Sequence, residues 1–256
     1  MADPLPSLAR TVRLLPAAAV LLATAGPAAA QDRAAAKHLA LLGIDSATVA
    51  PAGTVFGSVS VTNERLSTPG SGDGSAELGF GLGSAEDSLG FQVTAVITSL
   101  RDDPGDSGYL AFKVSRQVAG GASPVYLGAE VEHLANWGDA SGFEPTGTLA
   151  LTKFGLTDWG NGGEAFPYML TLGVGSHLRN GLTDPGVFVG AGIGISESLA
   201  VSAAWTGQTV DLGASLRITE ANNMTVAATL SDVFDQEDSQ RVILSFGWYL
   251  NDVFGR

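Results

Sequence analysis

Apolar residues alternate with small or polar residues over most of the chain, beginning near residue 54. The stretch 187–195, VFVGAGIGI, shows the pattern: one register holds only Val, Ala and Ile, and the other holds Phe188 and three glycines. A β-strand turns successive side chains to opposite faces, so this period of two predicts strands with one apolar face. Twelve strands are predicted, over residues 54–62, 75–84, 88–99, 108–118, 124–133, 145–154, 167–177, 186–195, 198–206, 208–218, 223–231 and 240–250.

The lengths of the strands and of their links favour a barrel in a membrane. Most segments span nine to eleven residues, the length of a tilted strand that crosses a hydrocarbon core. Long links such as ERLSTPGSGDG alternate with short ones such as GGAS, and the main exceptions are the long GLTDWGNGGEAF and a very short link at 206–208. Long outer loops with short periplasmic turns are typical of outer-membrane barrels. The predicted fold is all-β: a closed antiparallel up-and-down transmembrane β-barrel of about twelve strands.

The first thirty residues have the order of a secretory signal. Arg10 and Arg13 precede the apolar run LLPAAAVLLATAG, and small residues stand just before Gln31. We expect residues 1–30 to be a cleaved signal peptide and residues 54–256 to form the barrel. Residues 31–53 include a predicted short helix from Ala34 to Leu42. This segment is expected in the periplasm or in the lumen as a plug, and the periplasmic location is favoured.

From about Thr54 to Phe254 the chain resembles the outer-membrane β-barrel proteins of Gram-negative bacteria. Its last strand, RVILSFGWYLNDVF, is similar to the aromatic-rich C-terminal strand that barrel-insertion machinery reads in that class. The resemblance implies a location in the cell outer membrane. It also implies outer-membrane lipid, lipopolysaccharide and the insertion machinery as partners. It leaves the oligomeric state and the transported solute undefined.

Charge and composition exclude several other classes. The formal net charge is -13 and the chain has no cysteine. A nucleic-acid partner requires a basic face, and a disulfide or thiolate site requires cysteine, so none of these is expected. The acidic loops RDDPGDSG and DVFDQEDSQ lack the EF-hand pattern, so solvated loops are preferred to calcium sites. We expect no metal and no cofactor.

The register opposite the apolar one carries scattered charges, which are predicted to line the lumen: Glu77, Lys113, Glu130, Glu132, Asp211, Arg217 and Arg241. Charges are costly in hydrocarbon, so this register marks the wet side of the wall. The remaining inner side chains are mostly Gly, Ala and Ser. Such a lumen is either a narrow pore or a closed interior in which charges pair and water fills the gaps.

Three aromatic residues of the apolar register are predicted to lie at the membrane–water interfaces: Tyr168, Trp205 and Trp248. Arg116 and Lys153 are exceptions in the same register, near the periplasmic ends of their strands. Long basic side chains reach the interface from such positions.

Polar residues near the predicted outer rim suggest one enzymatic alternative. His133 and His177 end their predicted strands there, with Ser141, Ser176 and Asp139 nearby in sequence. A serine nucleophile needs a base within hydrogen-bond reach. Neither serine lies in a nucleophile motif, so rim histidines in polar loops are the simpler interpretation and no catalytic residue is predicted.

The sequence therefore predicts a narrow, weakly cation-preferring diffusion channel, or a structural barrel without catalytic activity. The first alternative is a lipid hydrolase active at the outer-membrane rim. The second is a soluble exported β-barrel that binds a ligand in its lumen.

Overall fold

The structure, a computed structural model, describes residues 37–65, 71–101, 103–158, 165–219 and 223–254. The predicted signal peptide and residues 31–36 lie outside these ranges. The twelve strands are β1 (Val55–Thr62), β2 (Asp73–Gly83), β3 (Gly90–Ile97), β4 (Gly108–Ala119), β5 (Val125–Trp137), β6 (Thr146–Asp158), β7 (Ala165–Arg179), β8 (Asp184–Gly194), β9 (Leu199–Trp205), β10 (Val210–Thr219), β11 (Met224–Ser231) and β12 (Arg241–Leu250). A short 3-10 turn, Gly138–Gly142, follows β5.

Every strand pairs with its neighbours in sequence, and β1 closes the sheet by pairing with β12. All pairings are antiparallel, both in the hairpins and in the closing β1–β12 pair, where Val55 lies opposite Leu250. Closure pairs both edges, so no row of backbone donors and acceptors is left open. The predicted fold class and strand number are confirmed. We call the end that carries the β2–β3, β4–β5, β6–β7, β8–β9 and β10–β11 links the turn end, and the opposite end the loop end.

The apolar register faces outward, as predicted. Leu172, Val187 and Leu244 expose 58%, 55% and 50% of their surface, whereas the inward Thr152 and Thr171 expose 0% and 2%. An apolar surface that surrounds the whole wall is far larger than the patches that water-soluble monomers expose. No helix in the described ranges is long and apolar enough to span a bilayer.

The β5 strand departs from its predicted end for an identifiable reason. The β5 strand was expected to end at His133 but runs to Trp137, with left-handed backbone at His133 (φ 58) and Ala135 (φ 47). The β4–β5 pairing shifts register beside these residues, which is the geometry of β-bulges. The bulge brings two successive side chains, Glu132 and His133, to the same inward partner, Tyr109.

Half of the GLTDWGNGGEAF segment, which was predicted as a link, belongs to strands. The β6 strand continues to Asp158 and β7 begins at Ala165, so the hairpin extends beyond the ends of β4 and β5. The remainder, residues 159–164, lies outside the described residues.

Candidate functional site: a plug in the lumen

Residues 37–54, which we call the plug segment, run through the lumen. The backbone N–H of His38 donates to the carbonyl of Ser196 in the β8–β9 turn (3.0 Å), so the described segment starts at the turn end. It rises until Gly43 lies against Asp211, near the loop end of β10, and then returns to the turn end to join β1. Leu39, Leu41 and Leu42 are 8%, 2% and 2% exposed along the rising part.

This course corrects two expectations about the N-terminal segment. No helix forms over residues 37–42, the described part of the predicted helix. The segment also lies inside the barrel and not in the favoured periplasmic location. The reason is the composition of its surroundings: the apolar side chains pack within the lumen, where Leu39 and Leu41 contact Phe154 and Met169. Groups in the lumen supply the hydrogen-bond partners that the backbone would otherwise find within a helix.

Those partners are polar side chains of the wall. The backbone N–H groups of Leu42, Ala47 and Ala50 donate to Ser202 Oγ (3.2 Å), Thr152 Oγ1 (2.8 Å) and Gln92 Oε1 (2.9 Å), respectively. Each contact joins residues far apart in sequence. Buried backbone donors need partners, so an extended chain in a lumen depends on groups of this kind. Ser202, Thr152 and Gln92 of the inner register therefore bind the plug segment.

Glycines of the wall form close seats for the plug backbone. A Cβ atom at Gly192 would lie 2.1 Å from the carbonyl oxygen of Ala40, and one at Gly128 would lie 2.4 Å from that of Ala47. At Gly81 the corresponding distance to the carbonyl oxygen of Ala50 is 2.1 Å, and at Gly194 the distance to that of His38 is 2.4 Å. Real Cβ atoms essentially never approach other atoms so closely. These positions accept the plug segment because they have no side chain. The wall seats are Gly81, Gly128, Gly192 and Gly194.

The turning point of the plug segment is residues 43–45. Gly43 has a left-handed backbone (φ +90), and a Cβ atom there would lie 2.9 Å from that of Asp211. Glycine is therefore required for both the turn and the close approach. Asp45, the last of these residues, lies with its Oδ1 atom 3.7 Å from Nζ of Lys113.

Lys113 is the centre of a charged cluster on the wall. Its ammonium also lies 2.6 Å from Oε2 of Glu130, and its side chain is only 3% exposed. Tyr109 donates to Glu132 (3.4 Å), and Glu77 interacts electrostatically with Asp45, Glu130 and Lys113. The cluster therefore holds more carboxyl groups than bases: Asp45, Glu77, Glu130 and Glu132 against Lys113.

The predicted lumen-lining charges all lie in the inward register, but they do not form a single cluster. Glu77, Lys113, Glu130 and Glu132 meet in the cluster around Lys113. Asp211 accepts from Ser231 Oγ and from the backbone N–H of Asp232, both at 3.0 Å. Arg241 is electrostatically coupled to Asp211, and Arg217 is coupled to His38. The partner that sequence reasoning missed is Asp45, which precedes the strands and carries no periodic signal.

His38 belongs to the plug segment and not to a membrane-crossing strand. Its Nε2 atom is hydrogen-bonded to Ser215 Oγ at 2.8 Å, and the residue is 1% exposed. Burial, and secondarily the positive charge of Arg217, lowers the pKa of His38 from 6.5 to about 4. The imidazole is therefore neutral in the seated plug at neutral pH.

The loop DVFDQEDSQ at the loop end is organised by Asp232. Its carboxylate accepts from the backbone N–H groups of Gln236 (2.7 Å) and Glu237 (3.1 Å) and from both the N–H and the hydroxyl of Ser239. Burial opposes ionisation, but these hydrogen bonds outweigh it and lower the pKa of Asp232. The loop's own donors thus occupy the oxygens of the Asp232 carboxylate. Across the described ranges, no group of three His, Asp or Glu residues is arranged to hold a metal ion.

The rim histidines are not arranged as a catalytic triad. His177 Nδ1 is hydrogen-bonded to the adjacent Ser176 Oγ (2.7 Å), and His133 Nδ1 contacts Thr146 Oγ1 (3.4 Å). Asp139 is exposed in the 3-10 turn, and within the described residues neither imidazole is hydrogen-bonded to a carboxylate. The ring of His133 instead stacks against Tyr109, with centroids 4.2 Å apart.

Two of the predicted interface aromatics cover glycines on the outer face. The Trp248 ring lies over Gly57, where a Cβ atom would be 2.7 Å from it, and the Tyr168 hydroxyl lies 2.5 Å from the Cβ position of Gly155. Both lie towards the turn end, whereas Trp205 ends β9 at the loop end. Gly57 and Gly155 therefore allow the rings of Trp248 and Tyr168 to lie flat against the wall.

The barrel is similar to three solved outer-membrane proteins at low identity. An outer membrane channel from Pseudomonas putida F1 is 12% identical, with a TM-score of 0.45 over 81% of this chain and 100% of its own. The KdgM porin is 8% identical (TM-score 0.47, 76% of this chain and 98% of its own). The outer membrane protein Omp33 of Acinetobacter baumannii is 11% identical (TM-score 0.44, 77% and 96%). No family model and no curated protein matches the sequence.

Proposed function

We propose that this protein is a diffusion channel of the cell outer membrane that is closed by the plug segment and opens when that segment leaves its seat. The outward apolar register supports a membrane location, because lipid accepts such a surface and water does not. Both ends of the plug segment lie at the turn end. We assign that end to the periplasm because short turns face the periplasm in outer-membrane barrels.

The observation that carries the proposal is the fit between the wall glycines and the plug backbone. At Gly81 and Gly128, the three atoms nearest to an added Cβ all belong to the plug segment. A purely structural barrel does not need wall glycines that seat a separate backbone, because ordinary side chains can fill its lumen. The seats are instead what a removable closure requires: close contact with a backbone whose described hydrogen bonds to the wall, from Leu42 to Ala50, go to side chains.

The charged cluster supports a weak preference for cations in the open state. Its carboxyl groups outnumber its bases, and both acidic loops lie at the loop end of the barrel. Fixed negative charge concentrates cations within a Debye length, about 10 Å at 0.1 M salt. The preference is therefore expected to fade as the salt concentration rises. Replacing Glu77 and Glu132 by Gln tests it best, because Glu130 is already paired with Lys113.

The decisive experiment is single-channel recording in planar bilayers with Gly81→Ala and Gly128→Ala. Each added methyl collides with the plug segment, so both variants are expected to conduct more often than the unmodified protein. Gly147→Ala is the matched control, since the nearest atom to its Cβ position is 3.9 Å away. Silent bilayers from folded Gly81→Ala and Gly128→Ala proteins would mean that the barrel is a closed scaffold.

We also propose that the protein has no catalytic centre. Ser176 and His177 lack a described acidic partner, and a serine nucleophile needs an oriented base. Purified protein is expected to release no fatty acid from phospholipid or lipid A, with divalent cation supplied. Hydrolysis that His177→Ala abolishes would replace the channel proposal by the rim hydrolase.

A further inference from the structure

Two basic side chains stand on the outer face of the barrel, where the surrounding residues are apolar. Arg116 on β4 and Lys153 on β6 are both exposed and share the register of Phe112, Leu149 and Leu151. Among strand residues whose side chains the structure describes, they are the only charged groups on the outer face of the turn-end half.

The strand register places the two residues side by side. Arg116 lies opposite Leu127, and Lys153 lies opposite Val125, so a single strand, β5, separates them. With strands about 4.8 Å apart and about 3.4 Å per residue, their Cα atoms are roughly 12 Å apart. Side chains of their length converge on one group of head-group size across this distance. Tyr168 adds a hydroxyl to the same patch, since it lies over Gly155, two residues from Lys153.

Neither basic side chain has an ion-pair partner among the residues that the structure describes. Within the described ranges, no carboxylate lies at ion-pair distance from Arg116 or Lys153, although Arg65 and Lys113 both form such pairs. An unpaired cation on a lipid-facing wall is unfavourable except near the interface, where head-group phosphates neutralise it. The wall therefore presents two cations and a hydroxyl side by side in its turn-end half.

We propose that Arg116, Lys153 and Tyr168 form a binding site for the head group of an anionic phospholipid in the leaflet at the turn end. The guanidinium and ammonium bind the phosphate oxygens, and β5 between them, with Leu127 at its surface, lies under the acyl chains. Zwitterionic lipids bind less well, because their own ammonium group opposes the two basic residues. This inference rests on the proposed membrane location and not on conduction.

Native mass spectrometry of the detergent-solubilised full-length protein tests the site. The protein is mixed with equal amounts of phosphatidylglycerol and phosphatidylcholine, and the retained lipid is counted. Each basic residue near a membrane surface favours anionic lipid by several-fold, so the unmodified protein is expected to retain phosphatidylglycerol roughly tenfold better or more. The double variant Arg116→Gln/Lys153→Gln is expected to lose this preference.

The control variant is Arg101→Gln, an exposed residue beyond β3 at the loop end, which is expected to keep the preference. Folding of each variant is checked by its mobility on unheated detergent gels. Equal retention of the two lipids by the unmodified protein overturns the site, as does an undiminished preference in the double variant. Displacement of the lipid by free glycerol phosphate would assign the patch to soluble anions. Preserved lipid preference in a protein that never conducts would refute the proposed channel and leave the lipid site standing.

Discussion

Asp45 of the plug segment and Lys113 of the wall lie 3.7 Å apart, between Oδ1 and Nζ. The same ammonium lies closer to Glu130, at 2.6 Å. Lys113 is thus already paired with Glu130 of the wall, and its contact with Asp45 at the turning point of the plug segment is the longer and weaker of the two. Loss of the contact with Asp45 leaves the Lys113–Glu130 ion pair intact.

This arrangement predicts unequal effects of two neutralising substitutions. Lys113→Met leaves the buried Glu130 carboxylate unpaired and is expected to destabilise the barrel by about 3–5 kcal/mol. Asp45→Asn removes a partly exposed partner and is expected to cost about 0–1 kcal/mol while raising the open probability. Urea unfolding in lipid vesicles measures the first effect, and bilayer recording measures the second. Equal destabilisation by the two variants would show that Asp45 supports the whole barrel.

The outer register predicts a cost that depends on depth. Leu172 lies midway along β7 and Val118 lies next to the turn-end terminus of β4, and they expose 58% and 53% of their surface. Leu172→Arg is expected to cost about 2–4 kcal/mol in vesicles and Val118→Arg about 0–1 kcal/mol, because only the first buries a charge at the bilayer centre. Urea unfolding gives both values. Similar costs at the two depths would contradict a membrane-spanning wall.

A cross-link between plug and wall is expected to hold the channel shut. The Cβ position of Gly213 lies 2.8 Å from the Cβ atom of Leu42, and the natural chain has no cysteine. A disulfide in Leu42→Cys/Gly213→Cys needs a shift of about 1 Å. Bilayers containing the oxidised variant are expected to be silent, and reductant is expected to start conduction. The single variant Gly213→Cys serves as the control and is expected to be insensitive to reductant.

Acid pH is expected to open the channel through His38. The pKa of this group is about 4 in the seated plug and returns towards 6.5 on release, so the released form binds the additional proton. Release is therefore favoured increasingly as the pH falls from about 6.5 to about 4, and no further below that. His38→Gln keeps a hydrogen-bonding side chain but does not titrate. Open probability recorded against pH is expected to be flatter for this variant, and identical profiles would exclude His38.

The wall of the barrel was predictable, because lipid on one side and polar groups on the other impose a period of two on every strand. The bulge at His133 was not predictable, because it depends on inward packing with Tyr109 of β4 and Glu132 of β5. The hairpin of β6 and β7 was underestimated because Gly155 reads as a strand end, although Tyr168 covers it.

The location of the plug segment could not be read from its own residues. Its run of Ala and Leu has helical composition, and the groups that hold it extended, Gln92, Thr152 and Ser202, are distant in sequence. One signal was present in the wall. Glycines that alternate along a strand, such as Gly190, Gly192 and Gly194, indicate the close approach of another backbone. They did not reveal which segment approaches.

The plug segment is continuous with β1 through Thr54 and Val55, so it stays attached to the barrel after leaving its seat. Closure is then a unimolecular event whose rate does not depend on how much protein the membrane contains. A short flexible tether gives an effective local concentration on the order of millimolar. A free peptide with the sequence of residues 37–54 would have to reach that concentration before it competed with the attached copy. Block by such a peptide from the turn-end side would therefore be weak in the complete chain and much stronger in a barrel that lacks its own plug.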